Sequence, residues 1–189
     1  MDVIPEYLPR LEALLPILGR DTAVWRADRP FSRQAWQNRT RLRNPDGWQW
    51  ITVPIEHGHH GEAIFRTRIA YHDGWRKRHL KAFKYNYSTS PFYEHYEADL
   101  QDLLSTRHET LHMLNKATID MILGWLGHSV SWEIRSEPAG TATKKISSAV
   151  PFKHPVYRQN YPGFIPDMTC LDILFTNGPA AIHQLAAHP

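Results

Sequence analysis

Three groups of residues have the types and spacing to do chemistry. His108-Glu109-Thr110-Leu111-His112 has the His-Glu-x-x-His spacing. On a helix, two imidazoles so placed can share a zinc ion while the Glu acts as a base. Glu133 or His128 would have to complete the ligand set, and neither stands at a recognised third-ligand spacing. Twelve histidines in one chain also make a chance match unremarkable, so no metal is expected there. His57, His59 and His60, flanked by Glu56 and Glu62, are types that take transition metals. Gly58 and Gly61 among them fit a solvated hairpin loop better. The third group is two basic clusters beside tryptophans: Asn38, Arg39, Arg41 and Arg43 near Trp36 and Trp48, and Arg76, Lys77, Arg78 and His79 after Trp75. Arginine grips phosphate or carboxylate through paired donors. Tryptophan offers a face to a sugar or a base. Histidine titrates near neutrality and suits general acid–base work.

If these clusters converge, Asn38, Arg39, Trp75 and Arg76 bind an anionic ligand and His79 is the catalytic group. If they point to separate faces, they are solvated basic surfaces. No Ser-His-Asp order, Gly-rich phosphate loop or dinucleotide fingerprint is present, so no cofactor is named. Glu94, Glu97 and Asp99, and Glu109 with Asp120, have ordinary helix-surface spacing.

The elements that must position these residues can be read from periodicity. Residues 8–18 pattern as a short helix with Leu8, Leu11, Leu14, Leu15 and Leu18 on one side, its end blurred by Pro16. Residues 22–26 form a strand. Arg39, Arg41 and Arg43 alternate with Thr40 and Leu42, and Asn44-Pro45-Asp46-Gly47 is a turn, so residues 39–43 and 48–54 make a hairpin. Residues 63–71 alternate as another strand. Helices follow from Trp75 through Asn86, from Pro91 to about Leu104, and from His108 to Trp125, the last stopped by Gly127. Residues 130–134 form a strand, and residues 136–149, rich in Ser, Thr, Ala, Gly and Lys, pattern as a mobile loop. Near the C-terminus Thr169 caps a helix, with Asp172 reaching back to its free amides and Leu171, Leu174 and Phe175 on its apolar face. Asn177-Gly178 stops it, and Pro179 keeps it from running on. Interspersed strands and helices imply an α/β fold: one compact domain over residues 1–189, a mixed β-sheet with a hairpin, covered by helices.

The 189 residues suffice for one core without disulfides, and the single Cys170 falls on the apolar C-terminal helix. No secretory signal and no run of about 18 apolar residues is present, so a cytoplasmic protein without a membrane span is expected. A net charge of +3 is mild, with Arg and Lys concentrated in residues 26–84 and acids between Glu94 and Glu109. It suits a phosphate-bearing or acidic small ligand. No recognised nucleic-acid module is present.

A closing motif and six ordered blocks upstream of it resemble the WbqC-like family. The closing stretch Gly163-Phe164-Ile165-Pro166-Asp167-Met168-Thr169-Cys170-Leu171-Asp172-Ile173-Leu174-Phe175-Thr176-Asn177-Gly178-Pro179 is similar to its Phe-x-Pro-Asn, Ile/Leu-Asp-Leu-Leu-Phe, Asn-x-Gly-Pro pattern, with Asp167 where Asn is usual. Upstream, Tyr7-Leu8-Pro9, Ser32-Arg33-Gln34-Ala35-Trp36-Gln37-Asn38-Arg39, the strand from Trp48 to Pro54, Trp75-Arg76-Lys77-Arg78-His79, Pro91-Phe92-Tyr93 with Tyr96, and Tyr157 with Gln159 stand in the family's order. The opening Ile4-Pro5-Glu6-Tyr7 replaces the frequent His-Gln-Pro-Asn-Tyr, and the chain resembles the shorter form, without the extra helix–strand unit between Arg135 and Tyr157. The resemblance implies a cytoplasmic transferase or accessory enzyme of surface-polysaccharide (O-antigen) biosynthesis, with an anionic ligand such as a nucleotide-sugar. The competing readings are a non-catalytic binding or scaffold protein and, third, a zinc hydrolase through His108 and His112.

Overall fold

The chain reverses across Pro45-Asp46, where Asn44 pairs with Gly47 and Gly47 takes a φ of +130° that favours glycine. The computed structural model describes residues 1–136 and 152–187. The hairpin strands are β3 (Arg39–Asn44) and β4 (Gly47–Thr52), in antiparallel register from Arg39↔Thr52 to Asn44↔Gly47. Thr40, Leu42 and Ile51 face inward and are buried. The other pleat face carries Arg39, Arg41 and Arg43 beside Trp48 and Trp50.

A separate sheet is wholly parallel. Its order is β1 (Asp2–Val3), β2 (Thr22–Arg26), β5 (Ser131–Arg135), with β2 central. The α/β class is as the sequence implies, but the parallel and antiparallel pairings fall in two sheets rather than one mixed sheet. Buried Arg26 grips Asp28 through two nitrogens at 2.7 and 2.6 Å and also pairs with Asp2, tying β1 to β2.

Among the described residues six helices cover these sheets: α1 (Leu11–Leu14), α2 (Trp75–Tyr87), α3 (Tyr93–Ser105), α4 (Leu111–Trp125), α5 (Cys170–Asn177) and α6 (Pro179–Ala187). The core is centred on α5, whose residues 170–175 are all buried. Phe175 is its aromatic hub, edge-on to Phe83, Tyr87 and Tyr93 at ring distances of 6.2, 5.2 and 5.3 Å. Gly178 breaks α5 from α6 at a φ of +79°, and a Cβ there would sit 2.8 Å from the Phe92 ring.

Four expectations need correction. The helix expected over residues 8–18 is one α turn at Leu11–Leu14 followed by a 3-10 turn at Leu15–Ile17, because Pro16 cannot supply the amide a continuing α-helix requires. Residues 63–71 are not a strand. Ala63, Arg68 and Ile69 bridge to three different partners, Pro30, Thr110 and Ile55, and Ile64–Arg66 is a 3-10 turn. The third helix begins at Leu111, not His108, since Thr110 is extended and bridges to Arg68. Thr169 does cap α5, its hydroxyl accepting from the Leu171 amide at 3.4 Å, but the Asp172 carboxylate turns away from that cap. The loop expected over residues 136–149 lies outside the described residues, apart from Ser136.

Candidate functional site

The face of the hairpin away from the core carries its cations in a graded series. Arg41 stands opposite Trp50, and Arg43 opposite Trp48. Each of the two outer guanidiniums leans diagonally onto a ring of the facing strand: Arg41 lies 4.1 Å from the Trp48 ring centre and Arg39 4.3 Å from that of Trp50. Trp36 extends the platform, 5.0 Å from Trp50, and carries Arg10 at 4.4 Å.

Residues 157–167 cross over this face and decide how much of it is open. Arg43 is covered, at 2% exposure, and every guanidinium nitrogen is used: toward the carbonyls of Asn44, Gly47, Pro162 and Gly163 and toward Oε1 of Gln159. Among the described residues Arg41 has one carboxylate partner, Asp167, at 4.0 Å. Arg39 donates to the carbonyl of Gln34 at 2.7 Å and has no carboxylate partner among the described residues. Trp48 is 39% exposed. The part of the face left unsealed is therefore exposed Trp48 with half-buried Arg39, Arg41, Trp36 and Trp50, the Nε of both arginines being buried.

Two strained residues frame it. Leu8 and Asp167, at φ of +47° and +64°, are the non-glycine residues with left-handed backbone among those described. They lie on two segments that meet where Arg10 bridges to Thr169 and Cys170 donates to the carbonyl of Pro9 at 2.8 Å. The buried hydroxyl of Thr40 donates to the Leu8 carbonyl at 3.0 Å and helps hold that conformation. Such conformations persist where surrounding structure over-determines them, and they cluster at functional sites. These segments set Arg10 over Trp36 and Asp167 beside Arg41.

The crossing segment is itself pinned by a buried carboxylate. Asp172 accepts hydrogen bonds from the hydroxyls of Tyr87 at 2.8 Å and Tyr157 at 2.9 Å, and the Tyr87 hydroxyl accepts from the Arg43 amide at 3.0 Å. Burial raises the Asp172 pKa, against the lowering effect of the tyrosine hydrogen bonds. Burial also raises the thiol pKa of Cys170, which is inert packing rather than a nucleophile.

The five residues singled out from the sequence divide. Asn38 and His79 come together: Asn38 Nδ2 donates to the carbonyl of Val53 at 2.9 Å, and His79 Nε2 to that of Thr52 at 3.2 Å. Both are buried beneath the hairpin, His79 at 3% exposure with Nδ1 accepting from the Tyr7 hydroxyl at 3.0 Å. Burial pushes its pKa down to about 4, opposed by the hydrogen bond to Thr52, so the ring is neutral at pH 7. Trp75 is buried edge-on to His79. Arg39 lies on the open face. Arg76 caps the end of α3, donating to the carbonyls of Leu104 and Ser105, and stacks on Tyr71. Among the described residues Arg39 and Arg76 share no partner. Reasoning from sequence missed Arg10, Trp50 and Asp167. The alternation of Trp48 and Trp50 opposite Arg41 and Arg43 was the available signal for Trp50; Asp167 showed only as a departure from the family pattern, and nothing local pointed to Arg10.

The two histidines of His-Glu-x-x-His do not share one helix, because His108 precedes α4. Burial lowers the pKa of both. Among the described residues no group of three or more His, Cys, Asp or Glu side chains is placed to hold a metal. In the histidine-rich loop, His59 pairs with Glu62 at 2.7 Å. An open cleft of about 440 Å³ lies elsewhere, lined by Glu56, Arg68, Ile69, Tyr71, Arg107 and Glu109. Among the described residues no helix is long and apolar enough to cross a membrane.

Comparison with known proteins agrees with the block pattern. The chain is 30% identical over 131 residues to the uncharacterised protein Rv1507c of Mycobacterium tuberculosis, covering 64% of this chain and 54% of that protein. It thus spans about half the length of this curated relative. No solved structure matches. The profile of the WbqC-like protein family matches residues 5–151 and 146–184, nearly the whole length, and the chain belongs to the WbqC-like protein family.

Proposed function

We propose that the protein binds an anionic sugar- or nucleotide-bearing ligand on the open arginine–tryptophan face, as a transferase or accessory factor in surface-polysaccharide (O-antigen) biosynthesis. The polysaccharide context rests on the resemblance to the family. The observation that carries the ligand reading is the pairing of Arg39 and Arg41 with tryptophan rings in a face the crossing segment leaves open. With Nε of both guanidiniums buried and Arg39 Nη2 on the Gln34 carbonyl, the remaining Nη donors are those a phosphate would meet, and the neighbouring rings supply a platform for the sugar or base. Asn38 and His79 support this face from below, at the Thr52–Val53 end of the hairpin.

A non-catalytic binding role also has an observation in its favour. His79, the general acid–base candidate, is neutral, buried and bonded at both ring nitrogens. Calorimetric titration with a nucleotide-sugar such as UDP-glucose, over wild type and Arg39→Lys, tests the binding reading. Loss of roughly tenfold or more in affinity with folding intact is expected, because lysine keeps the charge but not the paired donors. Equal affinity in the two proteins refutes the reading. Turnover of a bound nucleotide-sugar would decide for catalysis.

A further inference from the structure

Among the described residues Asp167 is the carboxylate paired with Arg41, and its placement is unusual. Its Oδ2 faces Arg41 at 4.0 Å, and its Oδ1 faces Arg10 at 3.6 Å and His154 Nε2 at 2.9 Å. It is therefore anchored by the histidine and stands off both guanidiniums. Arg10 does not depend on it, because Nε and Nη2 bind Glu6 and Nη1 binds Glu12 at 2.8 Å. Arg41 is different. Asp167 is its one carboxylate partner among the described residues, and its Nε is buried without a hydrogen bond.

We propose that Asp167 is a built-in counter-anion of this face, holding beside Arg41 the place that a ligand's anionic group takes, so that only a strongly anionic ligand displaces it. This rests on the binding reading above and adds to it the residue that sets how much negative charge the ligand must carry. A single carboxylate brought to Arg41 gains little over the one already there and meets its repulsion. A pyrophosphate brings more charge and more acceptor oxygens to the same donors. His154 leaves the displaced carboxylate with a partner, since Oδ1 keeps that contact when Oδ2 gives way.

The left-handed backbone at Asp167 selects the test variants, because Asn and Gly are the residues that tolerate it. Inorganic pyrophosphate is titrated calorimetrically into the full chain at low salt, for wild type, Asp167→Asn, Asp167→Gly and Arg39→Lys. Asp102→Asn serves as a control, removing one negative charge from the exposed surface of α3. Both Asp167 variants should bind roughly tenfold tighter than wild type, the step that about 1.4 kcal/mol brings, and Asp102→Asn should not. The gain should vanish in Asp167→Asn combined with Arg41→Ala. Unchanged or weaker binding by both Asp167 variants overturns the counter-anion role; if Arg39→Lys still weakens binding, the arginine–tryptophan reading stands without it. An equal gain in Asp102→Asn reduces the effect to net charge and also overturns the inference. Absence of pyrophosphate binding in every protein overturns both.

Discussion

The Tyr7 hydroxyl donates to His79 Nδ1 at 3.0 Å, joining the N-terminal segment to α2 beneath the hairpin. The geometry fixes the tautomer: Nε2 carries the proton and donates to the Thr52 carbonyl, so Nδ1 must accept. A charged imidazolium would need a different partner at Nδ1 and would be stripped of water.

Stability should therefore fall with pH in a defined window. The folded-state pKa of His79 is depressed to about 4, against about 6.5 in the unfolded chain, so between these values the unfolded state binds the extra proton. The contribution is complete above about pH 6.5, declines as pH falls toward 4, and is on the order of 3 kcal/mol across the window. Urea denaturation at pH 7, 5.5 and 4.5 measures it. The slope should flatten in His79→Gln; an unchanged slope in that variant would assign the pH dependence to other groups.

Tyr157→Phe removes one of the two hydroxyls that solvate buried Asp172. The expected cost is about 1–3 kcal/mol, because a buried acceptor loses its donor. Amide exchange should also quicken in residues 157–165, which this contact helps hold over Arg43. A variant as stable as wild type, with unaltered exchange, would show that the crossing segment is held without it.

Gly178→Ala tests the break between α5 and α6. Backbone with φ +79° and ψ 177° is a region essentially confined to glycine, and the new Cβ would collide with Phe92. A loss of about 1–3 kcal/mol is expected from the backbone alone. Thermal unfolding at the wild-type midpoint would contradict the geometry.

Trp48→Ala separates surface function from packing. Trp48 is exposed and packs on the Arg41 guanidinium and edge-on to Trp50, so stability should change by no more than about 1 kcal/mol. Affinity for a nucleotide-sugar should drop severalfold or more if the ring is part of the platform. Wild-type affinity would confine the ligand to other parts of the face.

Local grammar was legible wherever neighbours in sequence decide the outcome. The Asn44-Pro45-Asp46-Gly47 turn, the alternation of Arg39, Arg41 and Arg43, the apolar stripe of α4 and the Thr169 and Gly178 boundaries of α5 each rest on contacts a few residues apart. What alternation could not show is which of three equivalent arginines is free. Arg43 is buried and Arg39 open because residues 157–167, more than a hundred positions away, cross one end of the hairpin and not the other. Contacts between separate segments likewise decided the roles of Asp167 and Arg10 and the destination of Asp172, which short-range pattern assigned to a helix cap and the fold gave to two tyrosines. His79 makes the point most sharply. The sequence alone determined a histidine at a helical position beside a tryptophan, a residue type suited to proton transfer. Only the tertiary structure decided its environment, because desolvation and hydrogen-bond partners belong to the packed core, and they set its charge, its tautomer and its distance from solvent.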